Sequence, residues 1–260
     1  DYRRIAHCYE ALNICPLGGG SMGSTTWDID RNYTAKLLGF DAPVDNSIDC
    51  VASRDFTTDI LAVLSLSANT LSRFCQDLYV WATPDYGYVE VSDSCAVCSS
   101  IMPQKKNPWV LEHIKAKAAH VEGAFMSALN VLKNVIYSHS EDTCGEAAKY
   151  LFTGIDEMKE MCELMEVSIK GITVKKDRML ETARGNFCTV TELANYLVRH
   201  DKISFRMAHD IVADVVAYMI EHNKKADEIG TDVVNPIFMR LFGRTTSMTD
   251  EEVRAALDPT

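Results

Sequence analysis

The sequence lacks the features of a membrane or nucleic-acid-binding protein. No run of about eighteen apolar residues is present to form a membrane-spanning helix. No signal peptide opens the chain, so we expect a cytoplasmic protein. Basic residues are also in deficit, because 26 Lys and Arg stand against 37 Asp and Glu and give a net charge of −11. This balance opposes a general nucleic-acid surface, since phosphate binding requires a basic patch.

Signals for a metal or phosphate site are missing as well. Cys95 and Cys98 form a lone CxxC pair with no second pair at zinc-site spacing, and a structural zinc ion needs four ligands. The nine cysteines are odd in number and scattered, which indicates reduced thiols and opposes a disulfide framework. Gly18, Gly19 and Gly20 are not followed by the Lys-Ser/Thr of a phosphate-binding loop. We therefore expect no metal ion and free cysteines.

Stretches of apolar residues at helical spacing predict an all-α protein. The longest runs from about Arg54 to Trp81. At 1.5 Å per residue this helix would be roughly 40 Å long, which suits a helix bundle. Further helices are predicted over residues 1–14, 108–137, 140–168, 175–184, 189–200, 204–223 and 249–257. We place a boundary near residue 170, between a long-helix bundle domain (1–170) and a small C-terminal helical domain (171–260).

Local signals predict where some helices begin and end. Asp28 or Asp30 is placed to cap a short helix that stops at Gly39. Gly171 stands where a left-handed residue would end the helix over 140–168. A loop is predicted around Pro236.

The segment Cys98–Pro108 has a composition that suits neither a helix core nor an ordinary turn. It holds two hydroxyls, two ammonium groups and two amides, and Pro103 opposes regular helix. Asn107 is a good N-cap, Pro108 suits the first helical position, and Glu112 follows where the helix dipole favours an anion. On composition alone the segment is a solvated connector, as most such segments are. A catalytic loop is the alternative.

The string SSIMPQKKNP at residues 99–108 resembles the signature loop of the fumarase/aspartase superfamily, whose general form is SSxMPxKxNP. The version with Gln104, Lys105 and Lys106 is similar to that of argininosuccinate lyases. The segment NSIDCVASRD at 46–55 and the segment TVTELANYLVR at 189–199 resemble the same family. The resemblance covers essentially the whole chain. It implies the superfamily's fold, in which long helices of four subunits pack together, with a small helical domain at the C-terminus.

The family resemblance also implies a reaction and its residues. The reaction is reversible β-elimination of an amine from an N-substituted succinate, which releases fumarate and passes through an aci-carboxylate. Ser99 would take the proton from Cβ as an alkoxide. Lys105 and Asn107 would hold the carboxylate that is activated, and Glu112 would pair with a histidine on another segment. No metal or organic cofactor is implied.

Substrate-binding roles are implied for Ser100, Arg54 and Tyr137. Several of the residues singled out also have a structural alternative. Arg54 follows a segment that also reads as an Asx turn with Ser53 as an N-cap. Asn107 is given a dual role as N-cap and ligand, whereas Lys106 is interpreted as a solvated charge. Without the resemblance, Glu112 is interpreted as a first-turn carboxylate that the helix dipole favours.

Two departures from the family pattern qualify the resemblance. The Thr-His-Leu-Gln segment that supplies the histidine has no match here. We expect it to lie upstream of Asp1, since the chain begins without Met and in the pattern of a helix interior. In addition, Tyr137 matches the family's YNKDLQED, but the Lys and Gln that hold the arginine-like portion are missing. The amine of the substrate therefore stays open.

The sequence thus predicts an argininosuccinate-lyase-like carbon–nitrogen lyase that is incomplete as this chain alone. We expect a homotetramer with active sites shared between chains and a small aminosuccinate as substrate, without nucleic-acid or membrane partners. Two alternatives remain. One is a related lyase that acts on a different aminosuccinate, and the other is an inactive scaffold, as lens crystallins related to this family are.

Overall fold

The computed structural model describes residues 1–102 and 104–260, and two compact units divide the chain into Asp1–Thr173 and Val174–Thr260. Twelve α-helices lie in the described residues. The first unit holds α1 Tyr2–Leu12, α2 Arg31–Leu38, α3 Ser47–Ala52, α4 Asp55–Trp81, α5 Trp109–Leu132, α6 Glu141–Cys144 and α7 Leu151–Gly171. The second holds α8 Lys176–Gly185, α9 Val190–Asp201, α10 Phe205–Glu221, α11 Thr231–Phe242 and α12 Asp250–Leu257. The predicted all-α class is confirmed.

Three long helices, α4, α5 and α7, form the core of the first unit. Their apolar stripes meet at buried side chains that include Leu61, Leu111, Val121 and Met161. Gly154 on α7 allows a close approach, because a Cβ there would lie 2.5 Å from the Leu61 Cδ2 atom. No described helix is long and apolar enough to cross a lipid bilayer.

Short strands tie the loops of the first unit together. The strands are β1 Ile14–Cys15, β2 Ala42–Pro43, β3 Val89–Val91, β4 Val97–Cys98, β5 Lys106–Asn107 and β6 Ile172–Val174. They form three two-stranded ladders: β1 is parallel to β2, β3 pairs with β6, and β4 is antiparallel to β5. The last of these ladders encloses the Ser/Lys-rich segment.

Several local predictions are confirmed. The side chain of Asp30 caps α2 by accepting a hydrogen bond from the Tyr33 amide at 2.9 Å, and Gly39 ends that helix with φ 82°. The long helix over 54–81 is observed as α4 within one residue. Along the chain, the boundary between the two compact units falls between residues 173 and 174. The assignment of 1–170 and 171–260 as domains of the whole protein stays a prediction.

Other helix limits were predicted wrongly. The helix predicted over 140–168 is interrupted after α6, where Gly145 lowers helix propensity, and resumes as α7. The helix after the loop ends at Leu132 and not near 137, because the following residues turn to line a cavity beside Arg54. Gly171 is not left-handed, since the chain passes straight into β6 and its carbonyl accepts a hydrogen bond from the Ser92 amide.

Pro236 lies inside α11 and not in a loop. A proline in a helix interior removes one backbone hydrogen bond and is usually costly. Burial of Val233, Val234 and Phe238 on the same helix offsets that cost. Tertiary packing therefore overrides the local signal here.

A buried carboxylate organises the second unit. The Asp201 side chain is fully buried and accepts hydrogen bonds from Arg244 Nη1 at 2.8 Å, from the Ser247 amide at 2.9 Å and from the Thr246 hydroxyl. Burial opposes ionisation, but these donors together hold the pKa of Asp201 below its ordinary value. The network fastens the end of α9 to the loop between α11 and α12.

We predict that Asp201→Asn destabilises the chain by about 1–3 kcal/mol at pH 7, because donors that serve the carboxylate are left poorly paired. The depressed pKa means that the carboxylate stabilises the folded state above its unfolded pKa and less as the pH falls through its folded pKa. The difference between parent and variant should therefore shrink below about pH 4. Urea unfolding of the parent and the variant at several pH values measures this difference in the free energy of unfolding.

The matched control is Asp210→Asn, whose carboxylate is exposed and 3.5 Å from Arg206 Nε. Such surface pairs contribute about 0–1 kcal/mol. Equal urea midpoints for the parent and Asp201→Asn at pH 7 would contradict the prediction.

Candidate active site

The Ser/Lys-rich segment is a hairpin loop held by a two-residue ladder. Val97 pairs with Asn107, and Cys98 pairs with Lys106. The Asn107 side chain donates a further hydrogen bond to the Val97 carbonyl at 3.3 Å. Within the loop, the Lys105 amide donates to the Met102 carbonyl at 3.0 Å. Pro103 lies outside the described residues. The hairpin brings Ser99, Ser100, Lys105 and Asn107 into one short loop.

Ser99 receives two backbone hydrogen bonds inside this loop. Its Oγ accepts from the amides of Ile101 and Met102, each at 3.3 Å, and the side chain is half-buried. Amide donors aimed at an oxygen favour its anionic form. The same geometry is a serine turn, so it also stabilises the loop. Ser100 is exposed and one residue further on.

The two lysines of the loop have different surroundings. Lys106 Nζ lies 2.5 Å from Asp93 Oδ1 and 3.3 Å from Glu90 Oε1, and these carboxylates raise the pKa of Lys106. Lys106 is exposed, as expected of a solvated charge, and it also forms two surface ion pairs at the base of the hairpin. The exposed Lys105 ammonium has no ion-pair partner within the described part of the chain. It is the cation available to an anionic substrate.

Glu112 lies in the first turn of α5 and is exposed. Hydrogen bonding to the nearby Glu112 carboxylate and its negative charge raise the pKa of Tyr79 on α4. Lys115 Nζ lies 5.1 Å from the centre of the Tyr79 ring. Glu112 thus belongs to a polar cluster between α4 and α5, in addition to its favourable position at the helix start.

Arg54 and Tyr137 line one small cavity of about 70 Å³, together with Ser53, Thr143 and neighbouring apolar residues. Arg54 donates from Nη1 to the Ser53 carbonyl at 2.9 Å and from Nη2 to Cys144 Sγ at 3.6 Å. Tyr137 is 67% exposed. Ligand cavities are usually about 300–1,000 Å³, so this niche in the single chain holds at most one end of a substrate.

Within residues 1–102 and 104–260, no three His, Cys, Asp or Glu side chains are grouped as metal ligands. All nine cysteines are free thiols.

Comparison with known families decides the relationship. A family model described as "Lyase" matches residues 1–123, and one described as "Argininosuccinate lyase C-terminal" matches residues 187–260. Argininosuccinate lyase 1 of Shouchella clausii is 49% identical over 259 residues, which is 100% of this chain and 52% of that protein.

The chain belongs to the argininosuccinate lyase family. It spans about half the length of the curated relatives that it matches.

Solved structures agree with this family assignment. An EDDS lyase variant with bound fumarate superimposes with a TM-score of 0.90 at 34% identity, over 99% of this chain and 51% of that one. A fumarate lyase:delta crystallin from Brucella melitensis superimposes with a TM-score of 0.72 at 18% identity, over 100% of this chain and 53% of that one, and supports the fold alone. The helical fold of the fumarase/aspartase superfamily is thus confirmed.

The site residues that the family resemblance predicts in this chain fall into two groups. Ser99, Ser100, Lys105 and Asn107 share the hairpin, and Glu112 follows it on α5. Arg54 and Tyr137 share the small cavity, whose lining includes none of the described hairpin residues. The structure of one chain therefore brings each group together without joining them in one pocket.

Asn107 was predicted wrongly as an N-cap. It pairs in β5, and Pro108 is the residue that flanks α5. The ladder to Val97 takes Asn107 out of the cap position, and its amide is already bonded to the Val97 carbonyl. The N-cap position of α4 was also predicted one residue too early, at Ser53, because Arg54 is the residue that directly precedes the helix. The Asx turn at Asn46 is confirmed by a 2.8 Å bond from the Ile48 amide to its side chain.

Sequence reasoning missed two contacts at the site. Trp109 and His113 pack against each other with ring centroids 4.0 Å apart, a pair that their spacing of four residues on a helix could have indicated. The contact between Tyr79 and Glu112 joins two helices and has no local signal.

We predict that Lys106→Ala loosens the hairpin, because Glu90 and Asp93 lose the cation that holds the base of the loop. Hydrogen–deuterium exchange of a peptide covering residues 97–107 should become faster. Lys106→Arg should retain most of the protection, since the guanidinium can still pair with both carboxylates.

Lys133→Ala is the control, because that lysine donates to Asn130 near the end of α5, away from the hairpin. Unchanged exchange over 97–107 in Lys106→Ala would show that the ion pairs do not hold the loop.

Proposed function

We propose that the full gene product carrying this chain catalyses reversible β-elimination of an N-substituted succinate, with argininosuccinate as the first candidate and arginine and fumarate as its products. Membership of the argininosuccinate lyase family supports this proposal. So does the structural similarity to an EDDS lyase variant that has fumarate bound.

The observation that carries the proposal is the environment of Ser99. A serine hydroxyl is a poor base until its anion is stabilised. The two amides that donate to Ser99 Oγ at 3.3 Å are donors of the required kind. The Ser99 alkoxide would take a proton from Cβ, and the bonding electrons would move into the neighbouring carboxylate to form the aci-carboxylate. When that intermediate collapses, the C–N bond breaks, and the amine leaves with its electron pair and a proton.

The other residues of the hairpin have complementary roles in this proposal. Lys105 and Asn107 would stabilise the carboxylate on which negative charge accumulates, and such preorganised stabilisation is usually the largest catalytic term. The unpaired ammonium of Lys105 fits this role directly. The Asn107 amide would have to share or exchange its bond to Val97. Glu112 would orient a histidine of another segment.

Ser100, Arg54 and Tyr137 would bind the rest of the substrate. Because Arg54 and Tyr137 line a niche that excludes the described hairpin residues, we infer that a complete site combines this chain with further protein surface. A homotetramer with shared active sites meets that need. Large exposed apolar side chains on α7, such as Phe152 at 71% exposure, are consistent with subunit contacts. We propose a cytoplasmic location.

A different aminosuccinate is the second candidate substrate. Ser138 and His139 follow Tyr137 where the family resemblance calls for residues that hold an arginine-like group. The similarity to an EDDS lyase is consistent with a broader choice of amine in this fold. An inactive scaffold is a third reading, and activity measurements separate it from the other two.

We predict that Ser99→Ala lowers kcat for fumarate release by roughly 10²–10⁴-fold, the usual contribution of a positioned proton acceptor. The assay follows the ultraviolet absorbance of fumarate when argininosuccinate, or another aminosuccinate, is added to the full gene product. The KM should change little, because the hydroxyl acts mainly in the transition state.

Ser127→Ala serves as the control, because this half-buried serine donates to the Gly123 carbonyl of its own helix and lies outside the hairpin. Near-parental activity of Ser99→Ala would reject Ser99 as the base. Silence of the parent with every aminosuccinate would favour the scaffold.

A further inference from the structure

Trp109 is an exposed aromatic residue that directly follows the candidate catalytic hairpin. It is the first residue of α5 and lies two positions after Asn107, yet 47% of its surface is exposed. Tryptophan is the largest apolar side chain, so exposure at this point leaves a broad ring uncovered beside the loop.

His113 holds the Trp109 ring in a defined position. The two ring centroids are 4.0 Å apart with an interplanar angle of 63°, an edge-to-face contact across one helical turn. His113 is itself only half-buried. One edge of the indole is therefore engaged, while much of its surface stays accessible.

Glu112 projects from the same side of α5 as this pair. Residues 109, 112, 113 and 116 recur at helical spacing on one face. The opposite face is buried through Val110, Leu111 and Ile114. Ala116, which is small and exposed, adds no bulk to the outer face. The outer face of this turn therefore carries the Trp109 ring, whose face attracts cations.

We propose that the Trp109 ring receives the cationic amine end of the substrate, a guanidinium or alkylammonium group, through a cation–π contact, and that His113 positions the indole. This inference rests on the proposed function and adds the chemical class of the leaving amine. Lys105 would bind the dicarboxylate end from within the loop, and the face of α5 that follows would bind the opposite charge. An ammonium group in the loop and an aromatic ring directly after it match a substrate that is anionic at one end and cationic at the other.

Kinetics in the direction of amine addition test this assignment. Fumarate consumption is measured in the full gene product with arginine and with 1,4-diaminobutane. Trp109→Leu should raise the KM for the amine by about tenfold, the size of one well-placed cation–π contact. The KM for fumarate should stay within about twofold, and Trp109→Phe should fall between parent and Trp109→Leu.

The positioning role of His113 is tested separately, by the KM for the amine and the kcat of His113 variants. His113→Leu should raise the amine KM without changing kcat, and His113→Phe, which keeps an aromatic partner, should restore the parental value. Trp27→Leu is the matched control, because Trp27 is a tryptophan with 79% exposure outside the site. Equal changes in the KM values for amine and fumarate, or no change in Trp109→Leu, would overturn the proposal.

A binding measurement separates this inference from the proposed activity. In the Trp27→Phe/Trp81→Phe background, Trp109 is the remaining tryptophan of this chain, and its fluorescence is titrated with arginine and with citrulline, a neutral molecule of similar shape. Saturable quenching by arginine and at least tenfold weaker quenching by citrulline would support the cation site, even if no aminosuccinate is turned over. Equal or absent quenching would reject it, whatever the activity.

Discussion

The antiparallel pairing of β4 with β5 is the constraint on which the candidate site depends. A loop rich in hydroxyl and ammonium groups has no reason to keep one conformation in water, because ordering each residue costs about 1–2 kcal/mol of backbone entropy. Two residue pairs close the loop, and the Asn107 side chain adds a bond to the Val97 carbonyl. Lys106 adds two ion pairs at the base. Closed in this way, the chain directs two amides at Ser99 Oγ.

The helix core supplies the platform for this hairpin. Because α5 begins two residues after β5, any shift of that helix would move the loop with it. Close packing of α4, α5 and α7 opposes such a shift. At Gly154, the lack of a side chain leaves room for Leu61 of α4 to pack against α7. On the outer face, α5 presents Glu112 and Trp109 next to the loop. One helix thus serves the core, the hairpin and the surface beside it.

The sequence predicts those features that local chemistry decides. The apolar period of α4 and the side-chain cap of Asp30 depend on neighbouring residues, and both were predicted correctly. Asn107 was misassigned because its ladder partner is ten residues away, and a distant strand can outcompete a local cap. Gly171 and Pro236 were wrong for a similar reason, since pairing and burial set their conformations. The roles of the site residues came from family resemblance, and they stay predictions.

The central claim is that the hairpin presents Ser99 as the base. The most direct measurement is a crystal structure of the full gene product with bound succinate, an unreactive dicarboxylate. We predict Ser99 Oγ within about 3.5 Å of a methylene carbon, a distance suited to reaction. The amides of Ile101 and Met102 should still donate to it, and the Lys105 ammonium should contact a carboxylate. A structure with the loop closed over succinate, Ser99 turned away and a different side chain against that carbon would contradict the account.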